Sequence, residues 1–206
     1  MTTDRARSRL ILASQSRSRR QMLRAAGLSF DAIASGVDEV RMRADMEARG
    51  TRVGPAAIAG ALAAAKAEDV SRANREALVI GGDQVLALGD RVFEKPADLA
   101  AARAHLMALR GKAHVLVSAV ALAEAGNVVW QHTETATLLV RPFSPAFLDR
   151  YIERVGEDVC QSVGAYQLEG FGSQLFERIE GDYFTILGLP LIALLGELRA
   201  REMIET

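Results

Sequence analysis

The sequence predicts an α/β fold, a mixed twisted sheet with flanking helices that form two lobes around a cleft. Three observations carry that expectation. Early in the chain, short apolar strands alternate with helical stretches, the pattern of parallel strands with crossover helices. In the middle, apolar runs turn straight back on themselves at Gly89-Asp90 and at Ala125-Gly126-Asn127, so those strands pair antiparallel and the sheet is mixed. Finally, 206 residues with 50% hydrophobic but only 5% aromatic content suit one aliphatic core, hence a single domain spanning 1–206.

The elements follow in order. Leu10-Ile11-Leu12-Ala13 reads as a strand that ends at Ser14. Ser18 and Gln21 then form a capping box at a helix start, with Met22, Leu23 and Ala26 on the apolar face and Gly27 as the stop. A strand running through hydroxyls into a helix N-terminus, beside Arg17, Arg19 and Arg20, suits a phosphate, because free N–H groups and guanidinium forks converge there. The alternative is a capped helix with solvated arginines. Leu28 to Ala34 is a second strand. The carboxylates Asp38 and Glu39 after it either hold a divalent cation or open a loop. Val40 to Arg52 is charged and aperiodic, a connection. Pro55 opens an alanine-rich helix to about Asn74, buried along Ile58 and Leu62. Lys66 continues that face, either snorkelling outward or reaching into a cleft.

The central stretch runs from Leu78 to Pro96. Leu78-Val79-Ile80 is a buried strand that stops at Gly81-Gly82, where missing side chains let another backbone or a ligand approach. Asp83 follows at once. Gln84 to Leu88 continues extended, Arg91 to Phe93 returns as a hairpin, and Pro96 stops the pairing after Glu94-Lys95. An acid and a lysine near strand ends make either an active-site layout or a charged hairpin on a solvent edge. Asp98 caps a helix through Leu109 with Leu99, Ala102, Leu106 and Leu109 on one face, and Gly111 ends it. His114 to Ala123 and Val128 to Val140 pair as a hairpin. Ser144 and Pro145 start a helix to about Glu153. Gly164 to Gly172 surrounds Tyr166, Glu169 and Phe171 with glycines, either to bring backbone and a ring against a flat ligand such as a base or as a plain loop. Leu175 to Ile179 is a strand, Gly181-Asp182 a turn, and Leu189-Pro190 opens a helix that reaches the C-terminus.

Composition excludes several classes. Lys plus Arg numbers 25 against 26 for Asp plus Glu, a net charge of -1, so bulk charge points to neither nucleic acid nor membrane. The basic run after Ser14 has no interleaved aromatics, which again argues against nucleic acid. No apolar run approaches the ~18 residues that span a bilayer. The lone Cys160 rules out an internal disulfide and reads as a small buried hydrophobe, and the chain reads as cytoplasmic. His105, His114 and His132 lack metal-ligand spacing and read as structural or surface residues.

Seven pieces standing in this order carry a resemblance: ASQSRSRR (Ala13–Arg20), VDE (Val37–Glu39), AAAKA (Ala63–Ala67), GGDQV (Gly81–Val85), EKP (Glu94–Pro96), GAYQLEGFG (Gly164–Gly172) and ERIEGDYFTILGLPL (Glu177–Leu191). Together the set resembles the Maf family of nucleoside triphosphate pyrophosphatases, over about Leu10 to Leu198. The resemblance implies cleavage between the α and β phosphates of a nucleoside triphosphate, giving monophosphate and pyrophosphate. It implies a divalent cation, Mg²⁺ or Mn²⁺, a homodimer, and a fold like that of the inosine-triphosphate pyrophosphatases. The family's general base falls on Asp83, and its other motif positions on Ser14, Arg19, Glu39, Lys66 and Lys95. Residue chemistry fits: Asp83 activates water, Arg19, Lys66, Lys95 and Ser14 bind phosphate, and Glu39 with Asp83 are the candidate metal ligands. Gln84 and Glu169 resemble the 7-methyl-GTP subgroup, whereas Ser18 stands where that subgroup carries tryptophan. A nucleotide-binding regulator of cell division without turnover is the competing reading.

Overall fold

The computed structural model describes residues 9–48 and 53–205. Strand β1 (Arg9–Leu12) leads into helix α1 (Arg17–Ala25), and the brief β2 (Asp31–Ala32) into α2 (Glu39–Ala48) and α3 (Pro55–Ala73). The centre is β3 (Ala77–Leu88), β4 (Arg91–Phe93), α4 (Leu99–Leu109), β5 (Ala113–Glu124) and β6 (Asn127–Val140). After α5 (Pro145–Val155) come β7 (Phe176–Glu180), the single turn α6 (Tyr183–Ile186) and α7 (Leu191–Ala200). The sheet order is β2-β1-β3-β5-β6-β7, with β4 beside β3. Strands β1, β2 and β3 are parallel and every other pair is antiparallel, so the sheet is mixed, as expected.

Side-chain alternation divides this sheet into functional zones. On one face, Leu78, Ile80, Val120 and Leu122 pack under α1 and α7, while Leu86, Leu116, Ala136 and Leu138 pack under α4 and α5. Between these two cores the same face carries Gly82 and Gln84 on β3, Ser118 on β5 and Glu134 on β6, with Gln84 opposite Ser118 and Ser118 opposite Glu134. That polar waist separates two lobes over a continuous sheet. On the other face, α3 lays Ile58, Ala59, Leu62, Ala63 and Ala67 against Val85, Val117, Ala119 and Ala121.

The largest correction concerns the glycine pair. The strand does not end there: β3 runs through Gly81 and Gly82, because β5 supplies a ladder partner at each position from Leu78 to Ala87. Asp83 therefore sits mid-strand, opposite Ala119, rather than at a strand end. The glycines are still sites of close approach. A Cβ on Gly81 would lie 2.1 Å from the Ala63 carbonyl of α3, and one on Gly82 would lie 3.1 Å from Arg19 Nε. On its other edge β3 pairs with β1 up to Ile80 and with β4 from Leu86, so its edge between them has no strand neighbour among the described residues.

Other elements also differ from expectation. Residues 39–48 form a helix, not an aperiodic connection. The Asp38 carboxylate accepts from the Arg41 N–H, Glu39–Arg43 and Arg41–Asp45 pair four residues apart, and Met42 and Met46 dock on α3. The tail of that expected connection lies outside the described residues. The cap of α1 is Ser16, which accepts from Arg19 N–H, so the Ser18–Gln21 capping box does not form. Gly27 does take positive φ at the helix stop, although Ala26 is exposed. The second strand is only two residues long. Leu99 is exposed at the start of α4. Tyr183 to Ile186 form an unforeseen helical turn capped by Asp182, and α7 stops at Ala200. Cys160 is half-buried against the α4–α5 core rather than fully enclosed.

Candidate active site

A cleft opens beside the free edge of β3 and is walled by the N-terminus of α1, by α2, by Lys66 of α3 and by Lys95 after β4. This placement follows from topology: chains leaving β1 and β4 diverge on either side of an uncovered strand edge, much as ligand crevices form where neighbouring connections part.

Charged groups at its floor are almost fully enclosed: Asp83 is 5% exposed, Lys66 7% and Arg19 9%. Lys66 does not snorkel outward. Its Nζ donates to Asp83 Oδ1 at 2.7 Å and meets Glu39 Oε1 at 2.8 Å, so one ammonium bridges carboxylates from two other elements. Asp83 Oδ2 is buried and accepts no hydrogen bond among the described residues. A buried carboxylate oxygen left open is costly, and it marks where a water, a cation or a substrate proton is received. Burial acts to raise the Glu39 carboxyl, but the hydrogen bond and charge of Lys66, with Arg43 and Arg19 behind it, hold it below the ordinary carboxylate range.

Arg19 crosses Gly82 and donates from Nε to the Gly188 carbonyl at 2.8 Å. Burial pulls its pKa down, while Asp83 and Glu39 act in the opposite sense. Ser14 does not line the cleft. Its hydroxyl accepts from Ser16 N–H at 3.1 Å and from Arg19 Nη1 at 3.4 Å, which props the arginine. Ser16 and Ser18 face the cleft instead. Lys95 forms no ion pair among the described residues. Burial and the nearby Arg19 lower its pKa, Lys66 adds to that, and Glu39 and Asp83 oppose it.

Arg43 was missed because it lies in the stretch read as a connection. It projects from α2 into the same cleft, its Nη1 3.3 Å from Glu94 and its Nη2 3.7 Å from Glu39. Its Nε is buried with no partner among the described residues. The signal was present in the i, i+4 spacing of Glu39 and Arg43, visible once a helix is recognised there.

The cleft continues along Ser18, Gln84 and Leu187 into a second recess lined by the segment 161–169, including Glu169. Of the two readings of the glycine-rich segment, an aromatic ring laid open to a ligand and a plain loop, the rings favour the second. Tyr166 is buried in the core, its hydroxyl 2.6 Å from His114 Nε2, and Phe171 stacks on Tyr151. The wall of the recess thus includes the side chains of Gln84 and Glu169, with Tyr166 only 5% exposed. The histidines are structural, as expected: His114 is buried, His105 packs edge-on against Phe93, and His132 pairs with Glu134.

Two carboxylates on different elements, meeting at one ammonium and with one buried oxygen open, also fit a hard divalent cation that takes its remaining ligands from phosphate and water. Among the described residues no group of three or more His, Cys, Asp or Glu forms a cage. No helix among them is long and apolar enough to cross a membrane.

Comparison with known proteins identifies relatives over nearly the whole chain. A family model described as Maf-like protein matches residues 9–201. A 7-methyl-GTP pyrophosphatase of Rhizobium meliloti (strain 1021) is 54% identical over 190 residues, 92% of this chain and 94% of that one. A nucleoside triphosphate pyrophosphatase of Hyphomonas neptunium (strain ATCC 15444) is 50% identical over 195 residues, 95% of this chain and 97% of that one. Among solved structures, a nucleoside-triphosphatase / dITP/XTP pyrophosphatase from Mycobacterium abscessus covers 95% of both chains at 14% identity with a TM-score of 0.44, too weak a likeness to carry an argument.

Proposed function

This chain belongs to the Maf-like protein family, and from that premise we propose that it is a nucleoside triphosphate pyrophosphatase cleaving between the α and β phosphates. The observation that carries the proposal is the open, buried oxygen of Asp83 in a cleft that also holds Arg19, Lys66 and Lys95. In this reading Asp83 Oδ2 orients a water against the α phosphorus and takes its proton. The water oxygen bonds to that phosphorus while the α–β bridging bond breaks, and pyrophosphate leaves. Lys66 keeps Asp83 aimed through a charge-assisted bond at 2.7 Å. Arg19, Lys95 and Arg43 neutralise charge on the departing phosphates. Ser14 acts through Arg19 rather than on the substrate. Glu39 and Asp83 would hold Mg²⁺ or Mn²⁺, which when bound lowers the pKa of water and screens phosphate charge.

The recess lined by Gln84 and Glu169 receives the base, and the names of several relatives, together with those two residues, favour 7-methyl-GTP. Ser18 leaves that recess without a stacking ring, so selectivity rests on edge contacts. The proposal extends to one functional domain, working as a cytoplasmic homodimer.

The test is product analysis on a panel of canonical and modified nucleoside triphosphates with Mg²⁺ or Mn²⁺. Monophosphate with pyrophosphate in equal amounts, fastest from 7-methyl-GTP, is the expected result. Orthophosphate with diphosphate would overturn the bond assignment. A folded protein that binds nucleotides but releases nothing would instead be the regulator.

A further inference from the structure

Gln84 is held in a way that its role as a base reader does not by itself require. Its Nε2 lies 3.0 Å from Ser118 Oγ, 3.1 Å from the Thr185 carbonyl and 3.0 Å from the Ile186 carbonyl. Ser118 in turn spends its hydroxyl proton on the Thr185 carbonyl at 2.7 Å, so towards Gln84 it is an acceptor. Every group around that end of the amide accepts. A flipped side chain would set its carbonyl oxygen against two main-chain carbonyls that have no proton to give, and Ser118 could donate to it only by giving up its bond to the Thr185 carbonyl, so the orientation is decided by the network. Oε1 is left facing the cleft near Gly188, with no donor among the described residues.

The clamp has its own support. Thr185 is fully buried, its N–H donates to Asp182 at 2.8 Å, and its hydroxyl donates to Glu134 Oε2 at 2.6 Å. The other oxygen of Glu134 meets His132 Nε2 at 2.9 Å. Burial acts to raise the Glu134 carboxyl, but these two bonds and the His132 charge hold it below its ordinary range, so it stays an ionised acceptor. The segment so anchored also supplies the Gly188 carbonyl that holds Arg19. One helical turn thus sets both the base reader and a phosphate binder.

We propose that Ser118, Thr185 and Glu134 are positioning residues that lock the Gln84 amide with only its carbonyl oxygen toward the base, restricting the recess to bases that present adjacent N–H donors. Gln84 and Glu169 then offer two acceptors and no fixed donor. Guanine-type edges, with a ring N–H beside an amino group, satisfy both. Uracil and thymine place one N–H between two carbonyls, and adenine and cytosine set a ring acceptor beside the amino group, so each leaves an acceptor facing an acceptor. The inference rests on the reading that Gln84 contacts the base.

Its test compares Ser118→Ala, Thr185→Val and Glu134→Ala with Gln84→Ala, using kcat and KM for 7-methyl-GTP, GTP, UTP and CTP. Glu134 is partly exposed on β6, so its variant keeps the fold even where the buried ones do not. Each clamp variant is expected to narrow the guanine-to-pyrimidine preference roughly tenfold, through KM rather than kcat. Thr185→Ser should restore it. The side-chain NH₂ resonance of Gln84, identified by its loss in Gln84→Ala, should shift in every clamp variant without nucleotide present. An unmoved resonance and ranking in folded clamp variants, with Gln84→Ala still levelling the ranking, would overturn the clamp alone. Clamp variants that shift the resonance while Gln84→Ala leaves the ranking intact would instead overturn the base-reading role.

Discussion

At the end of the cleft proposed to take the phosphates, Asp83, Glu39 and Lys66 hold one another through full charges, drawn from β3, α2 and α3. At the end proposed to take the base, Gln84 is held by neutral groups, two of them main-chain carbonyls of α6. The difference matters for what each end can do. Charges tolerate a rearranging, highly charged substrate, because they act at a distance and in several directions. A clamped amide acts only along its hydrogen bonds, and so it discriminates. Under the proposed function, rate belongs to the first region and choice of substrate to the second.

The largest expected break between them is Asp83→Asn, which should lower kcat by about 10²- to 10⁴-fold on every base while leaving the base ranking unchanged. Parallel loss of selectivity would show that the ends are not separable. Next is a stability effect from buried His114, which meets the hydroxyl of Tyr166 behind the recess. Burial pulls that imidazole down to about 4, whereas the unfolded chain protonates it near 6.5. Its contribution is fully present above pH 6.5 and is lost as pH falls toward 4, by on the order of 3 kcal/mol. Thermal melts across that range should flatten in His114→Gln; an unchanged slope would remove His114 from the account.

The phosphate end should show the opposite limb. Lys95 holds its proton less firmly than an ordinary lysine, so KM should rise in alkaline solution as pH climbs through that lowered pKa. Lys95→Arg should push the limb upward, and Lys95→Ala should cost roughly 1.5–3 kcal/mol in kcat/KM. A limb that stays in place in the arginine variant would mean another group titrates. The smallest effect is Glu169→Lys, which should change guanine-to-pyrimidine preference about tenfold with little change in kcat for the best substrate. An unaltered ranking would leave the second acceptor unassigned.

The two ends were also unequally legible in the sequence. Asp83 and Lys95 stand out as charges near expected strand ends, the family resemblance singles out Glu39, Lys66 and Arg19, and the fold brings all five to one cleft. Asp83 was placed at a strand end because glycines normally interrupt strands. Here they stay in the ladder because α3 and Arg19 need their space on opposite faces. Arg43 stayed hidden because α2 is stabilised by a cap and ion pairs rather than by an apolar stripe. The clamp on Gln84 was beyond reach for a different reason. It depends on the register that sets Gln84 beside Ser118 and Ser118 beside Glu134, and on carbonyls that carry no residue identity.

The measurement that tests the central claim most directly is turnover in H₂¹⁸O, with the label located by mass spectrometry. Asp83-directed attack on the α phosphorus predicts one ¹⁸O in the nucleoside monophosphate and none in pyrophosphate. Label in pyrophosphate would contradict it, because the water would then have attacked the β phosphorus and the cleft would hold the triphosphate in another register.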